Sequence, residues 1–175
     1  MYYIQYLQAQ LITLRKTADP VSYGYALMGF VNGDIVLANP AGIIRTLYTA
    51  AETIDSQKPG QALLVVGRRI NLFSRTLQPT RPPELFQEYA QDYFFFNEPF
   101  LQAISPLPRS RLGGIAFDNW ITSRILQLEG QGGVDATQSI MALHPYTKPN
   151  ASGSHNSTAS IVNKYIHRKS GEYGR

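Results

Sequence analysis

The apolar residues of this chain fall into short runs separated by polar, glycine- and proline-containing stretches. Residues 25–31, 62–66 and 93–96 are apolar runs of strand length, bounded by turn-forming residues. Such runs are typical of strands that are buried on both faces. A shorter extended segment is predicted at residues 35–37, and a last strand is predicted within residues 134–143, ending at His144.

Other segments carry apolar residues at three- and four-residue spacing, which indicates a helix with one buried face. Residues 2–15, 40–51 and 118–128 show this spacing, and residues 83–91 and 98–104 suit shorter helices. Asn39 is expected to cap the helix at residue 40, because its side chain can accept a free backbone N–H and Pro40 suits the first helical position.

Strands alternating with helices predict an α/β fold with a mostly parallel sheet covered by helices. We expect one domain over residues 1–146. Residues 147–175 form a polar, basic tail rich in Ser, Asn, Thr, Lys and Gly. The tail is predicted to be loop, except that residues 158–168 suit a short helix.

Composition narrows the choice of function. The chain has 175 residues, 43% hydrophobic and 16% charged, which argues against disorder and against a coiled coil. The absence of cysteine excludes a disulfide scaffold, a cysteine-ligated zinc site and a cysteine nucleophile. A net charge of +4 suits anionic ligands but is too small to indicate nucleic acid. No apolar run approaches the ~20 residues needed to span a membrane.

The first residues carry no early positive charge and show no secretory leader. The sequence as written therefore predicts a cytoplasmic protein, or a Golgi or secreted protein if a leader precedes this chain.

Several polar side chains follow predicted strands, where α/β proteins bind ligands. Asn32 and Asp34 come after the first buried strand, and the segment is either a tight turn or a carboxylate site for a hard divalent cation. Arg68 and Arg69 end the second strand, and they are either a solvated strand end or a clamp for a diphosphate. His144 ends the last strand and is a candidate contact for metal or phosphate.

The helix start at residues 117–120 carries a further candidate pair. Asp118 is either a helix N-cap or a general base in a cleft. Trp120 is either a core residue or a stacking platform for a sugar.

Five segments, in this order, resemble a family of glycosyltransferases of the nucleotide-diphospho-sugar (GT-A-like) type. They are Val-Asn-Gly-Asp-Ile at 31–35, Val-Gly-Arg-Arg at 66–69, Asp-Tyr-Phe-Phe at 92–95, Phe-Asp-Asn-Trp at 117–120, and Val-Asp-Ala-Thr at 134–137 leading to His144. The resemblance implies a GT-A-like fold and transfer of a sugar from a nucleotide-sugar donor to an acceptor that the family does not specify.

The resemblance also implies roles for individual residues. Asp34 and His144 would hold a divalent metal, Mn²⁺ or Mg²⁺, against the donor diphosphate. Asn32 stands at the other carboxylate position of the metal motif, and Arg68 and Arg69 would add positive charge near the phosphates.

For the acceptor, the resemblance implies that Asp118 binds the reacting hydroxyl or acts as its base, with Trp120 beside the sugar. Only about two dozen residues precede the first strand, so the GT-A-like domain is expected to be truncated at its N-terminus.

Two other interpretations compete with an active transferase. One is a catalytically inactive GT-A-like fragment that binds a glycan or a protein. The other is a nucleic-acid binder that uses Arg68, Arg69, Arg109, Arg111 and the tail from Lys164 to Lys169, with residues 93–96 for stacking. The sequence argues against the second, because the aromatic run predicts a buried strand and no RNA-binding signature is present.

Overall fold

A computed structural model describes residues 26–72, 84–87, 90–105, 117–128 and 132–145. These residues form eight strands and three helices. The strands are β1 (Leu27–Val31), β2 (Val36–Leu37), β3 (Leu63–Gly67), β4 (Arg69–Asn71), β5 (Glu84–Leu85), β6 (Tyr93–Asn97), β7 (Gly132–Asp135) and β8 (Ala142–His144). The helices are α1 (Pro40–Gln57), α2 (Glu98–Ala103) and α3 (Phe117–Gln127). None of these helices is long and apolar enough to cross a membrane.

The strands form two four-stranded sheets. The first has the order β1-β6-β3-β7, with β6 antiparallel to both β1 and β3, and β7 parallel to β3. The second has the order β2-β8-β4-β5, with β8 antiparallel to β2 and parallel to β4, and β5 antiparallel to β4. Only Arg68 separates β3 from β4, so the chain passes from the first sheet to the second at that residue.

The prediction of a mostly parallel, helix-covered, GT-A-like sheet was wrong. Four of the six strand pairings in the described residues are antiparallel, and both sheets are mixed. The physical reason is that an apolar run records burial on both faces and not strand direction. The β6 strand, Tyr-Phe-Phe-Phe-Asn, is as apolar as a parallel strand although it runs against both neighbours.

The core lies on both faces of the first sheet, because successive side chains of a strand point to opposite faces. On one face Leu64, Phe94 and Phe96 pack with residues of α2 and α3. On the other face Leu63, Val65 and Tyr93 pack with Ile43 and Ala51 of α1. Gly67 pairs with Tyr93, and a side chain at Gly67 would overlap the Tyr93 phenol ring.

Several predicted elements are confirmed. The apolar runs at 62–66 and 93–96 form β3 and β6, and helices begin at Pro40, Glu98 and Phe117. Asn39 caps α1 as expected, since its Oδ1 accepts the Gly42 N–H at 3.1 Å.

Other predicted elements are wrong or lie outside the described residues. The helix predicted over 83–91 is not formed: Glu84 and Leu85 are in a strand, and the described residues around them are irregular. Strands β4 and β5 were not predicted, and the last strand proved to be two, β7 and β8. The helices predicted at 2–15 and 158–168, and the rest of the polar tail, lie outside the described residues.

Candidate functional site

Asp34 and His144, which are 110 positions apart in the sequence, are in contact. The His144 Nε2 atom lies 3.0 Å from Asp34 Oδ2. Antiparallel pairing of β2 with β8 sets this contact, because Val36 is opposite Leu143 and the register brings the preceding turn alongside the end of β8. The Asp34 side chain is 57% exposed and that of His144 is 15% exposed, so the carboxylate remains open to a ligand.

The neighbouring carboxylate, Asp92, is buried and joins three segments of the chain. Its Oδ1 accepts a hydrogen bond from Arg69 Nη1 at 2.6 Å and from Asn32 Nδ2 at 3.4 Å, and its Oδ2 accepts the Arg69 backbone N–H at 3.1 Å. Its backbone accepts the Asn32 N–H and donates to Gly67. Asp92 therefore fixes the end of β1 against the junction of β3 and β4.

The Arg69 guanidinium is engaged on several sides. In addition to Asp92, its Nε donates to Asn71 Oδ1 at 2.9 Å, and its central carbon lies 3.8 Å from the centre of the Phe86 ring. A guanidinium that is paired and stacked in this way has part of its charge neutralised already. Arg69 is therefore less available to a diphosphate than an arginine at a solvated strand end would be.

A cleft of about 160 Å³ lies at this end of the first sheet. Asn32, Arg69 and Asp118, three of the residues that the sequence singled out, line it together with Asp92 and with phenylalanines. Phe30 and Phe117 form part of its wall, with their ring centres 6.0 Å apart and the rings edge to face. The structure thus brings Asp118, the predicted acceptor carboxylate, and Asn32 of the predicted metal motif into one cleft, whereas Asp34 and His144 lie outside its lining.

Asp118 lies in the first turn of α3 and faces the cleft. Burial raises the pKa of its carboxyl above the usual value, and the charge of Asp92 acts in the same direction. Backbone hydrogen bonds at Asn119 and Gln91 oppose that rise in pKa. A carboxylate with a raised pKa is a stronger base than an exposed aspartate, which is the property that a proton acceptor needs.

Two other predicted site residues lie apart from the cleft lining. The Trp120 ring is 4% exposed and packs in the core beside Phe117, with ring centres 6.4 Å apart. The Arg68 backbone N–H donates to Thr137 Oγ1 at 3.1 Å, and its Nη1 lies 3.5 Å from the Phe86 carbonyl oxygen. Arg68 therefore ties β3 to the segment that follows β7.

Asp34 and His144 could offer one carboxylate and one imidazole nitrogen to a metal ion. No group of three or more His, Cys, Asp or Glu side chains that could hold a metal occurs in the part of the chain that the structure describes. Two protein donors fit a cation that takes its remaining ligands from a diphosphate and water, as Mg²⁺ sites commonly do. The imidazole favours Mn²⁺ over Mg²⁺, because Mg²⁺ strongly prefers oxygen.

Sequence reasoning missed Asp92 and Phe86 as residues of the site. Asp92 gave one usable signal, since a charged residue directly before a buried strand needs a partner when the strand is covered. Phe86 had no such signal in the sequence, because residues 83–91 were predicted to be a helix.

Comparisons with models of protein families, with curated proteins and with solved structures gave no match to this chain. A proposal for its function therefore rests on the geometry of the site and on the five segments that occur in order along the sequence.

Proposed function

We propose that this chain is a glycosyltransferase domain that transfers a sugar from a nucleotide-sugar donor to an acceptor hydroxyl. The contact between Asp34 and His144 carries the proposal, because the resemblance pairs these two residues as metal ligands and they lie 3.0 Å apart. The turn that holds Asp34 begins at Asn32, which lines the cleft with Asp118. A donor diphosphate bound near Asp34 would then lie beside an acceptor in the cleft.

In this reaction the acceptor oxygen forms a bond to the anomeric carbon while the bond from that carbon to the diphosphate breaks. The hydroxyl proton passes to the Asp118 carboxylate, and the electron pair of the broken bond leaves with the nucleoside diphosphate. Asp34 and His144 would hold a Mn²⁺ or Mg²⁺ ion, which neutralises charge on a leaving diphosphate. Arg68 would add positive charge at the same end of the sheet.

A thermal-shift measurement tests the proposal, with UDP-, GDP- and CDP-sugars in the presence and absence of Mn²⁺. A ligand at 100 times its Kd stabilises the native state by about 2.7 kcal/mol, which raises the Tm of a chain of this size by roughly 5–10 °C. We expect one kind of nucleotide sugar to raise the Tm, and only when Mn²⁺ is present. The Asp34→Ala and His144→Ala variants should lose this rise in Tm.

The matched control is Glu52→Ala, which removes an exposed carboxylate on α1 and should leave the Tm rise unchanged. Failure of every nucleotide sugar to bind the folded chain with Mn²⁺ would contradict the proposal. Detection of the glycosylated product then separates transfer from binding alone.

The second candidate is a catalytically inactive module that binds a glycan or a protein. The pairing of Arg69 with Asp92 and Phe86 favours it, because these contacts compete with a diphosphate for the guanidinium. Ligand binding without product, from the whole protein and with metal supplied, is the result that this candidate predicts.

A further inference from the structure

The cleft at the end of β1 and the start of β6 combines aromatic walls with a small set of polar groups. Phe30, Phe86 and Phe117 contribute rings, while Asn32, Gln91 and Asp118 contribute amides and a carboxylate. Small-molecule sites have this composition: apolar surface supplies affinity, and a few placed polar groups fix orientation.

The aromatic part of the lining matches one face of a sugar ring. Phe30 is only partly buried, and it lies between Phe94, with ring centres 6.1 Å apart, and Phe117. These contacts hold the Phe30 ring in place, so little side-chain entropy is lost when a ligand packs on it. The C–H groups of a pyranose offer an apolar face to such a ring.

The polar part of the lining matches hydroxyl groups. A hydroxyl both donates and accepts, and amide and carboxylate side chains offer complementary atoms. Asn32 is oriented by its bond to Asp92, and Gln91 Oε1 accepts a hydrogen bond from Thr122 Oγ1 at 3.4 Å. Each amide therefore has one long hydrogen bond to the protein and keeps further donor or acceptor capacity for a ligand.

The charge of the described lining disfavours an anionic ligand. Arg69 is its cation, and Asp92 pairs with it at 2.6 Å. The remaining charged group is the Asp118 carboxylate, so a phosphate or a second carboxylate would meet repulsion here. The Asp34–His144 pair lies outside this lining, which separates the cleft from the position proposed for the diphosphate.

We propose that this cleft binds a pyranose unit that carries no acidic group, with one sugar face on Phe30 and its hydroxyls on Asn32, Gln91 and Asp118. This inference deepens the proposed function. It rests on that function in one respect, namely that the bound sugar is the acceptor. Binding itself requires neither a nucleotide nor a metal.

The test is NMR titration of the chain with methyl β-D-glucopyranoside, methyl β-D-galactopyranoside and methyl β-D-xylopyranoside, without nucleotide. We expect at least one to bind with a Kd on the order of 1 mM, the affinity typical of about a dozen non-hydrogen atoms. Shift changes should map to the Asn32 and Gln91 side-chain amides and to the Phe30 ring. Phe30→Ala and Asn32→Ala should each weaken binding at least about tenfold, as loss of one good contact does.

The chain supplies a matched control. A second cleft of about 160 Å³ lies at the opposite end of β1 and β6; among the described residues, Asp55, Gln61 and Glu98 line it and no aromatic side chain does. Glu98→Gln in that cleft should leave sugar binding unchanged. Thermal melts show whether each variant folds, and shift mapping on the unmodified chain does not depend on any variant.

Three results would overturn the inference. They are absence of binding by all three glycosides, shift changes that map to the second cleft, and tighter binding of the anionic D-glucuronate than of the neutral sugars. Each is independent of the thermal shift with nucleotide sugars. Failure of donor binding therefore leaves the sugar cleft standing, and failure of the cleft leaves the donor site standing.

Discussion

At the scale of single residues, the environment of Asp118 makes a prediction about pH. Burial raises the pKa of its carboxyl above that of a free aspartate. A base works only when it is deprotonated, so transfer should fall as pH decreases through this raised pKa. Asp118→Asn should lower the transfer rate about 10²–10⁴-fold, measured as product formed at saturating donor.

The pH–rate profile distinguishes a base from a residue that only positions the acceptor. In the unmodified chain the acidic limb should lie above the pH at which an exposed aspartate titrates. The residual activity of Asp118→Asn should lose that limb. An unchanged limb in this variant would contradict the proposed role of Asp118 as the proton acceptor.

The Arg69–Asp92 pair makes a prediction about stability. The Asp92 side chain is 3% exposed and that of Arg69 is 18% exposed, so Asp92→Ala leaves a mostly buried guanidinium without its carboxylate. We expect the free energy of unfolding to fall by about 3 kcal/mol, the low end for breaking a buried pair because Arg69 keeps some contact with water. Urea denaturation measures this loss of stability, which should appear as a lower midpoint with an unchanged m-value.

A second substitution separates charge from hydrogen bonding. Asp92→Asn keeps an oxygen for the Arg69 backbone N–H but removes the negative charge, so its loss should be smaller than that of Asp92→Ala. A loss below about 0.5 kcal/mol in Asp92→Ala, the ordinary effect of a surface substitution, would contradict the importance of this pair.

At the scale of elements, the stability of the start of α1 depends on its N-cap residue, Asn39. Asn39 has φ 58° and ψ 69°, in the left-handed region, and its side chain accepts the Gly42 N–H. Asn39→Ala loses the cap and places a Cβ in that region, so we expect a loss of about 2 kcal/mol in the free energy of unfolding.

Asn39→Gly is the informative comparison, because glycine adopts this backbone conformation freely and caps almost as well. Its expected cost is a few tenths of a kcal/mol. Equal losses in the two variants, measured by urea denaturation, would show that the backbone conformation contributes nothing.

The elements show what local sequence can and cannot predict. Helix α1 was predicted because cap, proline and apolar spacing agree, and β3 was predicted because its buried residues are contiguous. The short strands β4 and β5 pair with each other in the second sheet, and Arg69 of β4 is charged. Their extended structure comes from long-range pairing, which leaves little trace in sequence periodicity.

The candidate site shows the same division. Asp34, His144 and Asp118 were predicted as site residues from five segments that occur in a fixed order, and not from any single motif. Asp92 joins Asn32 to Arg69 across three elements. Only the antiparallel arrangement of β6 beside β1 and β3 brings these residues together, and that arrangement was the part of the fold that was predicted wrongly.

At the scale of the whole molecule, the two sheets should unfold together. Arg68 is the only residue between β3 and β4, and Asp92 binds groups on both sides of that junction. Neither sheet can then unfold as a whole without disrupting the other. We therefore expect one cooperative unfolding transition.

The chain has a single tryptophan, which makes this measurable. Trp120 packs against residues of the first sheet, whereas far-ultraviolet circular dichroism reports both sheets. The urea midpoints from Trp120 fluorescence and from circular dichroism should coincide. Separate midpoints would show that the second sheet unfolds alone.

The Asp34–His144 contact has a kinetic consequence as well as a chemical one. It closes a stretch of 110 positions, and the adjoining pairing of β2 with β8 covers only two residues on each strand. Because so short a pairing gains few contacts, this corner should open more readily than the rest of the second sheet. A ligand that bridges Asp34 and His144 would stabilise the closed form of this corner reversibly. The resistance of the protein to proteolysis would then rise and fall with the concentration of that ligand.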